Sequence, residues 1–222
     1  MNDENAEIEF GLLDREAGII ASRRNLPHWF QPNVAMFVTF RTADSLPREV
    51  VLRWETEQRD WLRQQGWAIG PDEALPEWKQ LPESLQKTFR QHRDRRWHWH
   101  LDSCHGECVL LRRELAEIVM NSLRHFDGDR YDLDCAVVMP NHVHLLTQFH
   151  PPTTCRGQCE SWLHYTAVQI NKTLGRKKSF WQSEPFDHLV RSADQFEYLQ
   201  RYIAENGAKA NLPETDYLFW RR

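Results

Sequence analysis

Residues 136–149, AVVMPNHVHLLTQF, contain the clearest structural pattern in the chain. Two apolar segments are joined there by a Pro-Asn turn, which predicts a β-hairpin with strands over 132–139 and 142–149. His142 and His144 interrupt the second strand. Because residues two apart in a strand point to the same face, about 7 Å apart along the chain, both imidazoles are expected on one side of the sheet, close enough to share a metal ion.

The segments on either side of this hairpin complete an α+β domain. Hydrophobic spacing, turn residues and helix caps predict further elements: a strand at 33–41, a helix at 113–126, a helix at 155–174, a strand at 186–191 and a helix that begins after Ser192 and ends near Asn206. With the hairpin, the order is β-α-β-β-α-β plus a C-terminal helix. This order predicts a ferredoxin-like antiparallel sheet with helices on one face and the hairpin in its middle.

An insertion of about residues 46–108 separates the first strand of this pattern from its first helix. Two helices are predicted within it, one over 48–65 and a polar one from 82 to about 99. The predicted organisation is therefore an acidic N-terminal segment at 1–22, a single domain at 23–212 that contains the helical insertion, and a C-terminal tail at 213–222.

The composition indicates a globular protein. The chain has 222 residues, of which 41% are hydrophobic and 27% charged, so one sizeable core is expected. No apolar run approaches the roughly 18–20 residues that span a bilayer, and the acidic N-terminus does not resemble a secretory signal. Five cysteines, an odd number, indicate reduced thiols. We therefore predict a cytoplasmic protein without a membrane partner.

The charge is unevenly distributed along the chain. The net charge is −4, but residues 1–20 hold six acidic residues and one basic residue, so the remainder sums to +1. Within that remainder lie two basic clusters, 90–96 (RQHRDRR) and 172–178 (KTLGRKK). Local patches of this kind, not the overall charge, are what meet phosphates. Solvated surface charge is the alternative explanation for each cluster.

The two histidines supply at most two nitrogen ligands. A catalytic divalent site needs a third ligand and an open position for the substrate. Taken alone, the His-x-His pattern of His142 and His144 is therefore compatible with a metal site, with core packing or with a pair that faces solvent.

Tyr202 and Asn206 are four residues apart in the last predicted helix and are expected on one helix face. A tyrosine is able to act as a covalent nucleophile, and an amide oxygen one turn away would complete a hard-metal site beside the histidines. The alternatives are that Tyr202 is a core aromatic residue and that Asn206 caps the helix before Gly207. From these residues alone, both interpretations stay open.

Five segments, taken together and in this order, carry a resemblance to a known family: LPHWFQPNVAMFVTFRTADSLP (26–47), HGECVLLRRELAEIVMNSLRHFDGDRYDLDCAVVMPNHVH (105–144), MPNHVHLL (139–146), FWQSEPFDHLVRS (180–192) and YIAENGAKANL (202–212). They closely resemble the REP-associated tyrosine transposases, a branch of the single-tyrosine HUH transposase family. The resemblance covers most of residues 23–212.

This resemblance implies a ferredoxin-like catalytic core that uses a divalent metal, Mg²⁺ or Mn²⁺. It also implies that single-stranded DNA is cleaved and rejoined through a covalent 5′-phosphotyrosine intermediate, with REP-like palindromic hairpins as partners. On this family pattern the nucleophile is Tyr202 and the metal ligands are His142, His144 and Asn206. Relatives commonly continue with Asn-Pro-Val, whereas this chain reads Asn-Gly-Ala. Members occur as monomers and as homodimers, so the resemblance leaves the oligomeric state open.

Several residues are predicted to bind DNA without reacting, because cations that hold phosphates beside a stacking aromatic ring grip single strands: Arg23, Arg24, Lys172, Arg176, Lys177, Lys178 and Trp181. The alternative for Trp181 is a buried core residue after a polar turn. Two other functions also remain open, a non-catalytic binder of hairpin DNA or RNA that retains the fold, and a metal-dependent phosphodiesterase for small nucleotides.

Overall fold

The computed structural model describes residues 8–23 and 26–222. The chain divides into two compact units, one made of the residues up to Ala43 together with Cys108–Arg222, and the other of Asp44–Glu107. The second unit and the helical insertion predicted at about 46–108 cover nearly the same residues. In the described part of the chain, no helix combines the length and the apolar character that crossing a bilayer requires.

The helices and strands of the described residues are β1 (Ile20–Arg23), β2 (Pro27–Phe30), β3 (Ala35–Arg41), α1 (Arg48–Gln64), α2 (Glu83–Asp102), α3 (Arg113–Arg124), β4 (Tyr131–Val138), β5 (His142–Phe149), α4 (Cys155–Thr173), β6 (Phe186–Leu189), α5 (Ala193–Ala204), α6 (Asn206–Lys209) and β7 (Leu218–Arg221). Short 3₁₀ turns lie at Trp78–Gln80, Val109–Leu111 and Glu214–Asp216.

A five-stranded sheet in the order β6-β3-β5-β4-β7 forms the centre of the first unit, and every neighbouring pair in it is antiparallel. Along the chain, β3-α3-β4-β5-α4-β6 follow the predicted β-α-β-β-α-β order. The predicted α+β class with an antiparallel sheet is confirmed. β5 is the central strand, and all residues of β4 and β5 are buried, as expected for strands covered on both faces.

Helices cover both faces of this sheet. On one face, Val143 and Leu145 of β5 belong to the larger core, which includes apolar residues of α3 and α4 such as Trp162. On the other face, Leu146 belongs to a smaller core with Leu199 and other apolar residues of α5. The two helices of the predicted ferredoxin-like core, α3 and α4, thus lie on one face, and the additional C-terminal helix α5 covers the other.

Two features of the first unit were not expected. The segment 213–222, predicted as a tail, contains β7, which pairs with residues 135–138 of β4 and extends the sheet. Near the N-terminus, β1 and β2 form a separate two-stranded antiparallel sheet. His28 of β2 bonds Glu184 through Nε2 at 2.7 Å and Asp187 of β6 through Nδ1, so this hairpin is attached to the edge of the main sheet.

The second unit has a small core of its own. Leu62, Ile69, Leu81 and Phe89 are buried together. Arg96 of α2 donates to the carboxylate of Glu57 in α1, with Nε at 2.8 Å from Oε2. The amphipathic helix predicted from residue 48 and the polar helix predicted from residue 82 thus pack against each other.

Candidate active site

His142 and His144 lie on the face of the sheet that α5 covers. Both are 1% exposed. Their ring centroids are 4.7 Å apart and the rings are nearly perpendicular, at 70°. In the neighbouring strand β3, Arg41 is directly opposite His142 and Thr39 is directly opposite His144. The row of polar side chains therefore crosses two adjacent strands at one end of the sheet.

Each histidine ring is held through its Nδ1 atom. Nδ1 of His142 is 2.8 Å from Oδ1 of Asn141, and Nδ1 of His144 is 2.8 Å from Oγ1 of Thr39. An amide oxygen only accepts hydrogen bonds, so His142 carries its proton on Nδ1 and its lone pair on Nε2. The Thr39 hydroxyl is able to accept in the same way. Such partners fix the tautomer and the orientation of metal-binding imidazoles in other proteins.

Tyr202 of α5 lies against His144. Its phenol oxygen is 3.5 Å from Nε2 of His144, and the two ring centroids are 5.2 Å apart. The edge of the Phe37 ring also packs on Tyr202, at 6.0 Å between centroids. Helix α5 begins after Ser192, whose hydroxyl accepts a hydrogen bond from the backbone N–H of Gln195 at 3.2 Å. Ser192 is therefore the N-cap of this helix.

The structure corrects the expected position of Asn206. Tyr202 and Asn206 do not share one continuous helix, because α5 ends at Ala204 and Asn206 begins the short helix α6. Nor does Asn206 cap a helix in front of a left-handed glycine. Gly207 is helical, and a β-carbon there would lie 2.2 Å from the ring of Tyr217. The absence of a side chain at 207 therefore makes room for that ring.

Asn206 is fully buried, yet neither its side-chain oxygen nor its side-chain nitrogen has a hydrogen-bond partner among the described residues. Leaving a buried polar group unsatisfied costs about 1–3 kcal/mol. Such groups are few in native proteins and each needs an explanation, for which an absent ion or water is one of the usual choices. A bound ion and an ordered water would each satisfy this amide.

The residue types predicted as ligands fit a divalent ion. Within the described residues, no three His, Cys, Asp or Glu side chains form a metal-binding group. The predicted ligand set therefore remains the two imidazoles and the amide oxygen of Asn206, with water or substrate in the remaining positions. Mixed nitrogen and oxygen ligands with open positions are typical of catalytic metal sites.

Residues 110–206 match the family model described as "Transposase IS200 like". The predicted family resemblance is confirmed. The matched segment is somewhat less than half of the chain, and it contains both histidines, Tyr202 and, as its last residue, Asn206. Transposases of this family generally use a divalent metal, which agrees with the ligand types present here.

One solved structure is similar to this chain over most of its length. It is a REP-associated tyrosine transposase bound to a REP hairpin, with 13% sequence identity and a TM-score of 0.46. The match covers 88% of this chain and 77% of that one. The comparison with curated proteins gives no match.

Four of the residues predicted to contact DNA lie in the last turn of α4 and in the loop that follows it. Lys172, Lys177 and Lys178 are exposed and Arg176 is half-buried. The loop after α4 that carries three of them continues into Gln182, whose backbone N–H donates to the carbonyl oxygen of Arg41 at 2.8 Å. The basic loop therefore leads to the end of β3 at which Arg41 faces His142.

The remaining predicted DNA contacts have different outcomes. Arg23 is exposed at the end of β1, whereas Arg24 lies outside the described residues. Trp181 is not available for stacking on a base, which corrects that prediction. It is 5% exposed, and its indole N–H donates to the hydroxyl of Thr166 at 2.8 Å. The alternative interpretation, a buried core residue, describes Trp181 correctly.

Thr39, Asn141 and Arg41 were not identified from the sequence. The signal for two of them was present in the strand NVAMFVTFR at 33–41. Alternate residues of a strand share a face, and this rule places Thr39 and Arg41 together. What the pattern did not contain was the register that places them opposite the two histidines.

Proposed function

We propose that this protein is a single-strand DNA endonuclease and strand transferase that acts on hairpin DNA of the REP type through a covalent phosphotyrosine at Tyr202. One observation carries the proposal. The phenol oxygen of Tyr202 lies 3.5 Å from Nε2 of His144, on the sheet face where His142 also points. The IS200-like transposase match, which spans these three residues, supports the same reaction class.

In the proposed reaction the Tyr202 oxygen attacks the phosphorus of a phosphodiester. An Oη–P bond forms and the P–O3′ bond breaks, so the 5′ phosphate becomes attached to the tyrosine. The phenol loses its proton and the departing 3′ oxygen gains one. Rejoining reverses these steps with another 3′ hydroxyl as nucleophile. One phosphodiester replaces another, so no external energy source is required.

The side chains near Tyr202 and the predicted metal ligands have different roles in the proposed reaction. A free phenol has a pKa near 10 and needs activation at neutral pH. A divalent ion, Mg²⁺ or Mn²⁺, held by His142, His144 and Asn206 would polarise the phosphodiester. Asn141 and Thr39 contact the imidazoles at Nδ1, so Nε2 is the nitrogen that would bind the ion in this scheme.

The proposed substrate is a single strand that contains a palindromic hairpin. Lys172, Lys177 and Lys178 offer exposed positive charge for the phosphates, and Arg176 and Arg23 add to it. These contacts are sequence-independent. They position the strand and do not select the hairpin.

Covalent capture of DNA tests the proposal. A pool of single-stranded hairpins with randomised stems and flanks, labelled at the 3′ end, is incubated with the protein and Mn²⁺ and then separated under denaturing conditions. The 3′ label stays with the 5′ phosphate that the tyrosine retains. We expect a labelled protein band that requires Mn²⁺ and is absent in Tyr202→Phe.

Tyr198→Phe is the matched control. Tyr198 lies one turn earlier in α5, is 56% exposed and stacks near Tyr202, at 6.4 Å between ring centroids. It should form the adduct normally. An undiminished adduct in Tyr202→Phe would refute the assignment. Hairpin binding without an adduct would favour the non-catalytic binder, and cleavage of small nucleotides without hairpin cleavage would favour a phosphodiesterase.

A further inference from the structure

Arg41 lies in the candidate active site, beside the residues to which the proposed reaction assigns roles. It ends β3, directly opposite His142 across the strand pair, two residues after Thr39, whose hydroxyl contacts His144. Residues of one strand that are two apart share a face. The guanidinium of Arg41 therefore projects from the same sheet face as the two histidines.

The electrostatics of Arg41 agree with this position. Burial lowers the pKa of Arg41 from its ordinary value to about 10, and the charge of the Tyr202 phenolate acts in the opposite direction. The two groups are thus within electrostatic reach of each other. An arginine with this pKa is still fully charged at neutral pH, so the sheet face presents a partly desolvated cation beside the nucleophile.

The surroundings of Arg41 connect it to the surface that would bring DNA to the site. Its carbonyl oxygen accepts the backbone N–H of Gln182 at 2.8 Å, and the next residue but one, Ala43, donates to the carbonyl oxygen of Phe180 at 2.8 Å. The loop with Lys177 and Lys178 immediately precedes this pairing. A strand bound along that loop would reach the end of β3.

We infer that Arg41 binds the non-bridging oxygens of the scissile phosphodiester and places the phosphorus for attack by Tyr202. The inference rests on the function proposed above and adds a substrate-binding residue to it. A guanidinium is planar and offers paired donors that match two phosphate oxygens. Because negative charge accumulates on these oxygens during phosphoryl transfer, a cation in this position also favours the transition state.

A binding measurement tests the phosphate contact without requiring catalysis. In a Tyr202→Phe background, affinity for the randomised hairpin pool is measured over a range of salt concentrations, with and without Arg41→Gln. The loss of one phosphate contact on a single strand should reduce the log–log salt slope by about 0.7. Arg113→Gln is the control. Arg113 is exposed on α3, which packs on the opposite face of the sheet, and its removal should leave the slope unchanged.

A cleavage measurement tests whether the contacted phosphate is the scissile one. Adduct formation on a hairpin captured by the wild-type protein should be about 100-fold slower in Arg41→Gln, the effect typical of removing one donor to the reacting group. Arg41→Lys keeps the charge but loses the paired donors, so it should retain most of the salt slope and an intermediate rate. Thermal melting of each variant identifies loss of the fold.

The outcomes separate this inference from the proposed function. An unchanged salt slope, or an altered slope with a wild-type cleavage rate, would overturn the role of Arg41. A reduced slope in a protein whose wild type forms no adduct would support the Arg41 contact and reject the strand transferase. If Arg41→Gln does not fold, Arg41→Lys decides, because a wild-type cleavage rate in that variant would rule out placement by a paired contact.

Discussion

Gln200 donates its side-chain amide to both carboxylate oxygens of Asp134, at 2.8 and 3.0 Å. Gln200 belongs to α5 and lies two residues before Tyr202. Asp134 lies in β4 at the position where the register of that strand shifts against β5. β-Bulges of this kind commonly redirect a side chain near an active site. Here the bulge provides a carboxylate that fixes the helix of the proposed nucleophile on the sheet.

Replacement of Gln200 by Leu should therefore affect both stability and cleavage. The change leaves the mostly buried carboxylate of Asp134 without this partner, which should lower the free energy of unfolding by about 1–3 kcal/mol. Cleavage should slow as well, because the hydrogen bonds that hold α5, and with it Tyr202, on the sheet are lost. Denaturant unfolding combined with Asp134→Ala in a double-mutant cycle checks this. Additive effects of the two changes would show that the pair does not couple helix and strand.

His142→Ala and His144→Ala should each remove metal-stimulated cleavage and leave the protein folded. If the imidazoles only fill the core, each change should instead lower stability by the ~2–5 kcal/mol typical of large core truncations. Thermal melting measured beside Mn²⁺-dependent adduct formation distinguishes the two roles. A variant that cleaves normally with Mn²⁺ would remove its histidine from the metal site.

Thr39→Val should weaken metal binding without abolishing cleavage. The substitution keeps the shape of the side chain and removes only the hydroxyl that contacts Nδ1 of His144. Loss of an outer partner of a metal-binding histidine typically costs 10- to 100-fold in metal affinity or activity. We expect the Mn²⁺ concentration for half-maximal cleavage to rise by about tenfold, and Thr39→Ser to restore it. Equal titration curves for the Val and Ser variants would contradict this role.

Asn206 offers a test in which stability and activity move in opposite directions. Asn206→Leu removes a buried amide that has no hydrogen-bond partner among the described residues, so stability should stay equal or rise. The same change should raise the Mn²⁺ requirement tenfold or more, because an oxygen ligand is lost. Asn206→Asp retains the ligand and should keep Mn²⁺-dependent cleavage at an altered rate. Identical metal titrations for both variants would exclude Asn206 as a ligand.

Neutralising Lys172, Arg176, Lys177 and Lys178 together should weaken hairpin binding and flatten its salt dependence. Each lost phosphate contact on a single strand should lower the log–log slope by about 0.7. Arg156→Gln is a suitable control, because Arg156 is an exposed residue in the first turn of the same helix that contains Lys172. If the slope stays constant in the fourfold variant, these four residues are only solvated surface charge.

The sheet and its helices could be predicted because their signals are local. The hairpin is marked by two apolar runs around a Pro-Asn turn, and β5 begins and ends at His142 and Phe149 as predicted. Helix α5 is marked by Ser192, the residue that caps it. Family motifs then pointed to Tyr202 and the two histidines. In the structure, Tyr202 contacts His144, and His142 lies next to His144.

The features that escaped prediction depend on contacts between distant residues. β7 is a four-residue edge strand whose partner, β4, lies about eighty residues earlier, so no local pattern identifies it. The burial of Trp181 depends on Thr166 in α4. The place of Arg41 depends on the register between β3 and β5. The spacing of residues along a strand predicts which side chains share a face of the sheet. The register between paired strands decides which of those side chains lie opposite each other.

The contact between Gly207 and Tyr217 has an evolutionary consequence. A β-carbon at position 207 would lie 2.2 Å from the Tyr217 ring, and Tyr217 leads directly into β7 at the edge of the sheet. Position 207 therefore does not accept a larger residue while the Tyr217 ring stays in place. In a protein with this fold, a bulkier residue after the asparagine should be accompanied by a smaller one at the position of Tyr217. The two sites are expected to covary as a size-matched pair.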